Sequence, residues 1–200
     1  MTPVTGPAGA WRRTDASSGR LRGNVQPGCH VLKGSNACLA SMLAMVGTAA
    51  ATDDVEAVQP KATFVYVDKS ERQLFVFSGR TLLLQYPIAL GRVPAGHKQQ
   101  EGDKRTPEGV YMLDWKNPNS RYHRSIHVSY PNAADRADAQ RRGVSPGGDI
   151  MIHGQPNQSP LPAAALQQHD WTDGCIALTD AQMDALWEVV DVPVPIRIVP

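Results

Sequence analysis

The sequence predicts a mainly β fold, an antiparallel β-sandwich or barrel-like domain with one or two short helices. Segments rich in β-branched and aromatic residues alternate with tight turns, which is the pattern of strands in a sheet. The segments cover residues 63–67, 73–77, 81–90, 110–113, 125–130, 150–152 and 192–199. The first three follow one another as a meander, so we expect antiparallel pairing between them.

Helices are predicted at two places. Thr179 and Gln182 have the spacing of a capping box. The residues after them form an apolar stripe with i, i+3, i+4 and i+7 spacing: Met183, Leu186, Trp187 and Val190. Residues 133–142 are rich in alanine and charge and predict a short helix with a solvated charged face. Two prolines in the segment 192–199 predict an edge strand, because proline cannot donate to a β-ladder.

The N-terminal quarter of the chain differs in composition from the rest. Residues 1–34 are rich in Gly, Ser, Pro and Arg, and residues 37–51 form an apolar run of 15 mostly small residues. Such a run is short for a membrane span but suits the core of a signal peptide. We therefore predict a signal peptide over residues 1–51 and a flexible lead-in over residues 52–62. The N-terminus of this signal peptide is either unusually extended or the result of a translation start assigned too early. The predicted location is exported, in the periplasm or cell envelope; a buried helix of a cytosolic protein is the second interpretation.

Charge and cysteine content narrow the classes of function. Residues 1–51 hold five basic residues and one acidic residue, so residues 52–200 keep 15 Lys and Arg against 18 Asp and Glu. Nucleic-acid binding requires a basic surface, so this balance argues against it. Cys29 and Cys38 leave with the predicted leader, and Cys175 then has no partner for an internal disulfide. No cofactor is expected, and a metal site is the weakest alternative for one cysteine and scattered histidines.

Cys175 and His153 are the residues most able to carry chemistry. Gly174 precedes Cys175 and the apolar Ile176 follows it, which places the thiol in a turn that enters a buried segment. His153 ends an apolar segment, and Gly154 permits a sharp exit. A thiol with an ordinary pKa of about 8.5 needs a base near neutral pH, and histidine can supply it. On these residues alone, a buried structural cysteine and a satisfied histidine are the more common interpretation.

A longer sequence pattern makes a catalytic role for Cys175 and His153 the favoured interpretation. Ile152-His153-Gly154 is followed, after a spacer, by Thr172-Asp173-Gly174-Cys175-Ile176-Ala177, and Arg105-Thr106-Pro107-Glu108-Gly109 lies upstream. Together these motifs resemble the catalytic domain of the L,D-transpeptidases (the YkuD type), over roughly residues 63–199. We accordingly predict a catalytic domain over residues 63–200.

The resemblance implies roles for four residues of the motifs. Cys175 would be the nucleophile and His153 its general base. The backbone carbonyl of Gly154 would orient the imidazole. The backbone N–H groups of Gly174 and Cys175 would bind the oxyanion, a contribution of about 3 kcal/mol per donor in other enzymes.

The resemblance also implies a substrate and a reaction. The Cys175 thiolate would attack the carbonyl after the third residue of a peptidoglycan stem peptide, release the terminal D-alanine and leave a thioester. A second stem or a wall-anchored protein would supply the amine that resolves it. An L,D-transpeptidase is therefore the first hypothesis. An L,D-carboxypeptidase, or a hydrolase of peptidoglycan–protein linkages, is the second, and a non-catalytic wall-binding domain is the third.

Two departures from the family's pattern concern the substrate. Thr172 and Asp173 stand where Ser and His are common, and Ala177 stands where arginine is frequent. The Asp173 carboxylate would raise the thiol pKa unless it pairs with His or Arg. The absent arginine removes one cationic partner for a substrate carboxylate.

The candidate substrate-binding residues are Trp171, Thr172, Asp173 and His127. His127 lies on the polar side of the segment 125–130, and a partly exposed strand histidine is an equally good interpretation of it. His97 lies in a polar, glycine-containing stretch and is interpreted as a solvated loop residue.

Overall fold

The computed structural model describes residues 59–200. The predicted signal peptide over residues 1–51 and most of the predicted lead-in lie outside this range, so both stay predictions. The described chain is tied at its start to the end of the last helix, where the Ala62 N–H donates to the Val189 carbonyl at 2.8 Å.

Within residues 59–200, eight strands form one curled, mixed sheet. They are β1 (Phe64–Asp68), β2 (Gln73–Ser78), β3 (Thr81–Pro87), β4 (Gly109–Asn117), β5 (Ser125–Val128), β6 (Met151–His153), β7 (Ile176–Ala177) and β8 (Val194–Val199). Their order across the sheet is β3-β2-β1-β8-β4-β5-β6-β7. The mainly β fold class is therefore confirmed.

Most neighbouring strands pair as the meander predicted. β1, β2 and β3 are antiparallel neighbours, and so are β4, β5 and β6. Two pairs are parallel, β1 with β8 and β6 with β7, and these make the sheet mixed. Parallel pairing requires a crossover connection, and strands far apart in the sequence carry no local signal of it.

The prediction of an edge position for the last strand was wrong. β8 lies in the middle of the sheet, between β1 and β4. Its prolines are accommodated because Pro193 precedes the strand and pairing with β1 begins only at Ile196, after Pro195. The last apolar segment therefore joins the two halves of the sheet.

The sheet curls around a single hydrophobic cluster. Alternating residues of β1, β2 and β8 point into it and are fully buried, as their period-2 pattern requires. The chain after β3 then meets β7 through isolated bridges between Ala89 and Ala177 and between Gly91 and Thr172. These bridges bring the two ends of the strand order close together and produce a half-barrel.

The described residues contain three helices: α1 (Ala133–Arg142), α2 (Ala163–Leu166) and α3 (Asp180–Val189). Thr179 and Gln182 form the predicted capping box of α3, and Met183 and Leu186 of its apolar stripe are fully buried. No helix within residues 59–200 is long and apolar enough to cross a membrane.

A buried polar cluster, here called the Lys69–Asp135 cluster, lies between β4 and α1. Its members are Lys69, His97, Glu108, Tyr111 and Asp135. His97 accepts from the Glu108 N–H through Nδ1 at 3.0 Å and places Nε2 3.1 Å from Asp135. Asp135 also accepts from the Tyr111 hydroxyl at 3.1 Å. His97 lies in a loop as predicted and keeps 34% of its side chain exposed, but both of its ring nitrogens have partners. Asp135 is only 8% exposed, so the prediction that the charged residues of α1 form a solvated face was wrong for this residue.

Candidate active site

Two neighbouring parallel strands position the candidate nucleophile and base. His153 is the last residue of β6, and Cys175 directly precedes β7. The register aligns Ile152 with Ile176 and His153 with Ala177. The same register places Cys175 beside Met151, two positions before His153, so residues that are 22 positions apart in the sequence lie at neighbouring strands at the end of the strand order.

The turn before Cys175 is held by the side chain of Thr172, which is only 4% exposed. Its hydroxyl accepts from the Gly174 N–H at 3.1 Å and donates to the Cys175 carbonyl at 2.7 Å. Gly174 has a φ of 131°, and a Cβ atom there would lie 2.7 Å from the Arg105 carbonyl. Glycine is required at this position because the turn is pressed against the backbone of Arg105.

The upstream Arg105–Gly109 motif packs against this turn. The fully buried Thr106 accepts through its hydroxyl from the Gly91 N–H at 3.1 Å. The Thr106 carbonyl in turn accepts from the Lys69 ammonium at 3.1 Å. The motif thus links the Lys69–Asp135 cluster to the segment that faces residues 172–175, here called the catalytic turn after its predicted nucleophile.

His153 is buried, 4% exposed, and held in one tautomer. Its Nδ1 lies 2.7 Å from the Gly154 carbonyl, which can only accept, so Nδ1 carries the hydrogen and Nε2 keeps its lone pair. The rings of Tyr122 and Trp171 lie against the imidazole, with centroids 4.6 Å and 5.6 Å away. Burial lowers the pKa of His153, although the Gly154 bond opposes the shift. The imidazole is therefore neutral near pH 7 and able to accept a proton.

Gly154 itself has no room for a side chain. A Cβ atom would lie 2.6 Å from Oδ1 of Asp180, which accepts from the Gln155 N–H at 2.7 Å. Because the Gly154 carbonyl orients His153, the start of α3 fixes the imidazole indirectly.

The Cys175 sulfur contacts the backbone that leads into β6. Sγ accepts from the Met151 N–H at 3.4 Å and lies 3.7 Å from the Asp149 carbonyl, to which the thiol donates. Burial raises the pKa of the thiol; the Met151 N–H and Lys98 oppose the shift, and the carboxylates of Asp173 and Asp149 add to it. The thiol is therefore protonated at rest and needs a base before it can attack.

Two cavities open beside Cys175. The smaller, about 180 Å³, is lined by Arg92, Ser120, Tyr122 and Trp171 together with His153 and Cys175. The larger, about 430 Å³, is lined by Lys98, Glu101, Lys104, Asp149 and Asp173 together with Cys175. Asp173 and Cys175 line both cavities, so the catalytic turn separates an aromatic side, which holds His153, from a charged side.

The two predicted oxyanion donors differ in availability. The Gly174 N–H is already donated to the Thr172 hydroxyl. The Cys175 N–H has no hydrogen-bond partner among residues 59–200. The Cys175 N–H is therefore the free donor of the predicted pair.

The predicted substrate-binding residues lie in two places. Trp171, Thr172 and Asp173 line the smaller cavity. Asp173 pairs with Arg92, whose Nη1 lies 3.1 Å from its Oδ1, yet its carboxylate still raises the pKa of the Cys175 thiol. His127 lines neither of the two cavities: it lies 2.6 Å from Asp114 and stacks on a tryptophan of β4.

The part of the chain that matches known proteins includes these residues. Residues 62–198 match the L,D-transpeptidase catalytic domain family, YkuD, which is more than half of the chain. The chain belongs to this family. The L,D-transpeptidase resemblance of the motifs is therefore confirmed.

Two relatives illustrate how this L,D-transpeptidase-family chain compares in length. It is 28% identical over 161 residues to the Escherichia coli (strain K12) protein named "Putative L,D-transpeptidase YafK", covering 75% of this chain and 58% of that protein. The crystal structure of the helical cell shape determining protein Pgp2 from Campylobacter jejuni is similar with a TM-score of 0.52 at 28% identity, covering 68% of this chain and 47% of Pgp2. The chain thus spans about half the length of these relatives.

The sequence did not indicate every residue of the L,D-transpeptidase cleft. Arg92 and Tyr122 line the cavity that holds His153, but no motif or spacing relates them to it. Within residues 59–200, no cluster of three His, Cys, Asp or Glu side chains is arranged to hold a metal ion. His123 and His127, four residues apart, are held by different carboxylates, those of Asp184 and Asp114.

Proposed function

We propose that this L,D-transpeptidase-family domain is a cysteine acyltransferase that acts on peptidoglycan stem peptides. One observation carries the proposal: His153, with Nδ1 held by the Gly154 carbonyl and Nε2 free to accept a proton, lines the same cavity as Cys175. A neutral base beside a protonated thiol is the arrangement that nucleophilic catalysis by cysteine requires.

The first step forms a thioester. The thiol of Cys175 gives its proton to Nε2 of His153, and the sulfur attacks the carbonyl after the third residue of a tetrapeptide stem. The Cys175 N–H stabilises the oxyanion of the tetrahedral intermediate. As the intermediate collapses, the carbon–nitrogen bond breaks and His153 gives the proton to the leaving amine of D-alanine.

The second step resolves the thioester. An amine of a second stem attacks the thioester carbonyl and loses a proton, which passes through His153 to the departing sulfur and restores the thiol. The product is a cross-link between two stems. Water in place of the amine hydrolyses the thioester and gives a tripeptide. If Cys175 attacks the carbonyl that links a stem to a wall protein, the protein amine leaves with the proton from His153, and hydrolysis of the thioester completes the release of that protein.

The substrate places the proposed activity in the cell envelope, in agreement with the predicted export of the chain. The related Pgp2 is described as a determinant of helical cell shape. A role in building or trimming the wall, and through it in cell shape, is part of this proposal.

Mass spectrometry of tetrapeptide muropeptides incubated with the protein tests the proposal, with Cys175→Ala as the control variant. A cross-linked dimer lacking one D-alanine, absent with Cys175→Ala, is the expected result. Tripeptide monomer alone would replace the transferase by a carboxypeptidase. If both proteins leave the tetrapeptide unchanged, peptidoglycan with linked protein is the next substrate to test. If the protein does not act on that substrate either, the hypothesis of a non-catalytic wall-binding domain is the one that remains.

A further inference from the structure

The cation that the family's pattern commonly places two residues after the cysteine is absent here. Ala177 occupies that position, is fully buried, and pairs with Ala89 on one side and His153 on the other. Its methyl group lines neither cavity beside Cys175. Ala177 therefore offers no charge to a substrate carboxylate, and any cation in the smaller cavity comes from another segment.

Arg92, in the loop between β3 and β4, brings a guanidinium to the smaller cavity. Its backbone N–H donates to the Thr172 carbonyl at 3.0 Å and its Nε donates to the Trp171 carbonyl at 3.1 Å. Nη1 lies 3.1 Å from Asp173, and Nη2 has no hydrogen-bond partner among residues 59–200. One backbone contact and two guanidinium contacts with residues 171–173 therefore hold Arg92 at the cavity, while Nη2 stays free to donate.

The proposed chemistry determines which part of the substrate occupies this cavity. His153 must lie beside the leaving amine to protonate it, and His153 lines the smaller cavity. In a C-terminal amino acid a single carbon separates the amine from the carboxylate, so both groups enter together. The volume of about 180 Å³ is below the ~300–1,000 Å³ of sites for drug-sized ligands and suits one small residue.

We propose that Arg92 binds the terminal carboxylate of the leaving D-amino acid and so selects stems that end at this residue. This inference rests on the proposed function. Among the described residues lining the smaller cavity, Arg92 carries the permanent positive charge, since burial keeps His153 neutral. A guanidinium binds a carboxylate with two parallel hydrogen bonds, which sets direction as well as charge.

Two further observations support a carboxylate at this place. Trp171 lines the same cavity, and its buried indole N–H has no acceptor among residues 59–200, so a polar group beside the cavity is left unsatisfied by the protein. The Arg92–Asp173 pair is solvent-exposed, with side-chain exposures of 52% and 73%, so it contributes little and a substrate carboxylate can displace it.

Binding measurements in a Cys175→Ala background test the inference without turnover. The ligands are a tetrapeptide stem with a free terminal carboxylate and the same peptide with a terminal amide. We expect the free acid to bind about tenfold to a hundredfold more tightly, the range for hydrogen bonds to a charged group. Arg92→Gln should abolish this discrimination, and Arg92→Lys should restore part of it.

Arg121→Gln is the matched control. Arg121 lines a neighbouring cavity with Tyr122 and Trp171, and Cys175 does not line that cavity. The discrimination should survive this change. Equal binding of acid and amide before Arg92 is changed, or discrimination that survives Arg92→Gln, would overturn the inference.

Kinetics with Cys175 intact separates this inference from the proposed function. Arg92→Gln should lower kcat/KM for the free acid by the factor seen in binding, chiefly through KM, and leave the amide unchanged. If the protein with Cys175 turns over neither peptide nor protein-linked wall, the proposed acyl transfer fails. The binding comparison would still decide whether Arg92 recognises the carboxylate.

Discussion

The Lys69–Asp135 cluster and the cleft at Cys175 are both built from buried polar groups, but the groups differ in how many have partners. In the cluster, the Lys69 ammonium donates to Glu108 at 2.7 Å and to two backbone carbonyls at 2.8 Å and 3.1 Å. In and around the cleft, the Cys175 N–H and two side-chain atoms, Trp171 Nε1 and Gln167 Oε1, have no partner among residues 59–200.

The two histidines show the same contrast. His97 uses both ring nitrogens, one for the Glu108 N–H and one for Asp135, so its environment is complete without a ligand. Among residues 59–200, His153 uses only Nδ1, which leaves Nε2 free to accept a proton in the proposed reaction. Buried polar groups that are satisfied stabilise a fold, whereas unsatisfied ones mark places where a ligand completes the bonding.

The largest expected effect separates the two histidines. His153→Gln removes the base and should lower kcat/KM by about 10²–10⁴-fold, the usual range for a general base. His97→Gln should leave kcat/KM within about twofold and destabilise the fold by about 1–3 kcal/mol, because buried partners lose their hydrogen bonds. Kinetics with tetrapeptide and urea unfolding of both variants measure the contrast. If both variants fold well and lose activity equally, the predicted difference between His153 and His97 is wrong.

The next effect concerns the ion pair of the cluster. Lys69→Met leaves the Glu108 carboxylate without its cation and should destabilise the protein by about 3–5 kcal/mol, as for one-sided removal from buried pairs. Burial lowers the pKa of Lys69 and Glu108 opposes that shift, so the pair is strongly interdependent. The double variant Lys69→Met with Glu108→Gln should recover part of the loss in denaturant unfolding. A fully additive double variant would contradict this coupling.

A smaller effect is expected in the catalytic turn. Thr172→Val keeps the side-chain shape but removes the hydroxyl that bonds to Gly174 and Cys175, and should destabilise by about 1–3 kcal/mol. The rate at which the Cys175 thiol is alkylated should also change, because the Cys175 carbonyl loses its hydrogen bond to residue 172. Thr172→Ser, which keeps the hydroxyl, is the control, and identical behaviour of the valine variant would show that the turn is held by packing alone.

The smallest effect is a pH dependence of stability. Burial lowers the pKa of His153 below its ordinary 6.5, so the unfolded chain takes up a proton before the folded chain does. The contribution to stability is present above pH 6.5 and is lost as the pH falls toward the folded pKa, with a slope of at most about 1.4 kcal/mol per pH unit. Between about pH 7 and about pH 5, Tm should fall more in the wild type than in His153→Gln. Parallel curves would show that His153 does not titrate differently in the two states.

Much of the fold follows from local patterns. The strand meander, the capping box at Thr179 and the apolar stripe of α3 are local properties, and the structure confirms them. The central position of β8 and the two parallel pairings depend on contacts between distant segments. Proline at positions 193 and 195 predicted an edge because the sequence cannot show on which side a missing N–H falls.

The site divides in the same way. Cys175 and His153 could be found because a motif names them, and the role of Gly154 followed from the same motif. Arg92 could not be found, since its contacts depend on how the turn packs against the loop after β3. The residue type alone does not distinguish His97 from His153, because the difference lies in the hydrogen-bond partners that the fold gives each ring.

The central position of β8 has a consequence for the order in which the domain can be completed during synthesis. β1–β3 and β4–β7 are made first, yet in the sheet they are neighbours only through β8 on one side and through the isolated bridges at Ala89 and Gly91 on the other. Pairing β1 with β8 closes a loop of more than a hundred residues, a slow step for a nascent chain. A chain interrupted before Val194 would contain Cys175, His153 and Arg92 and lack the strand that joins the two halves of the sheet.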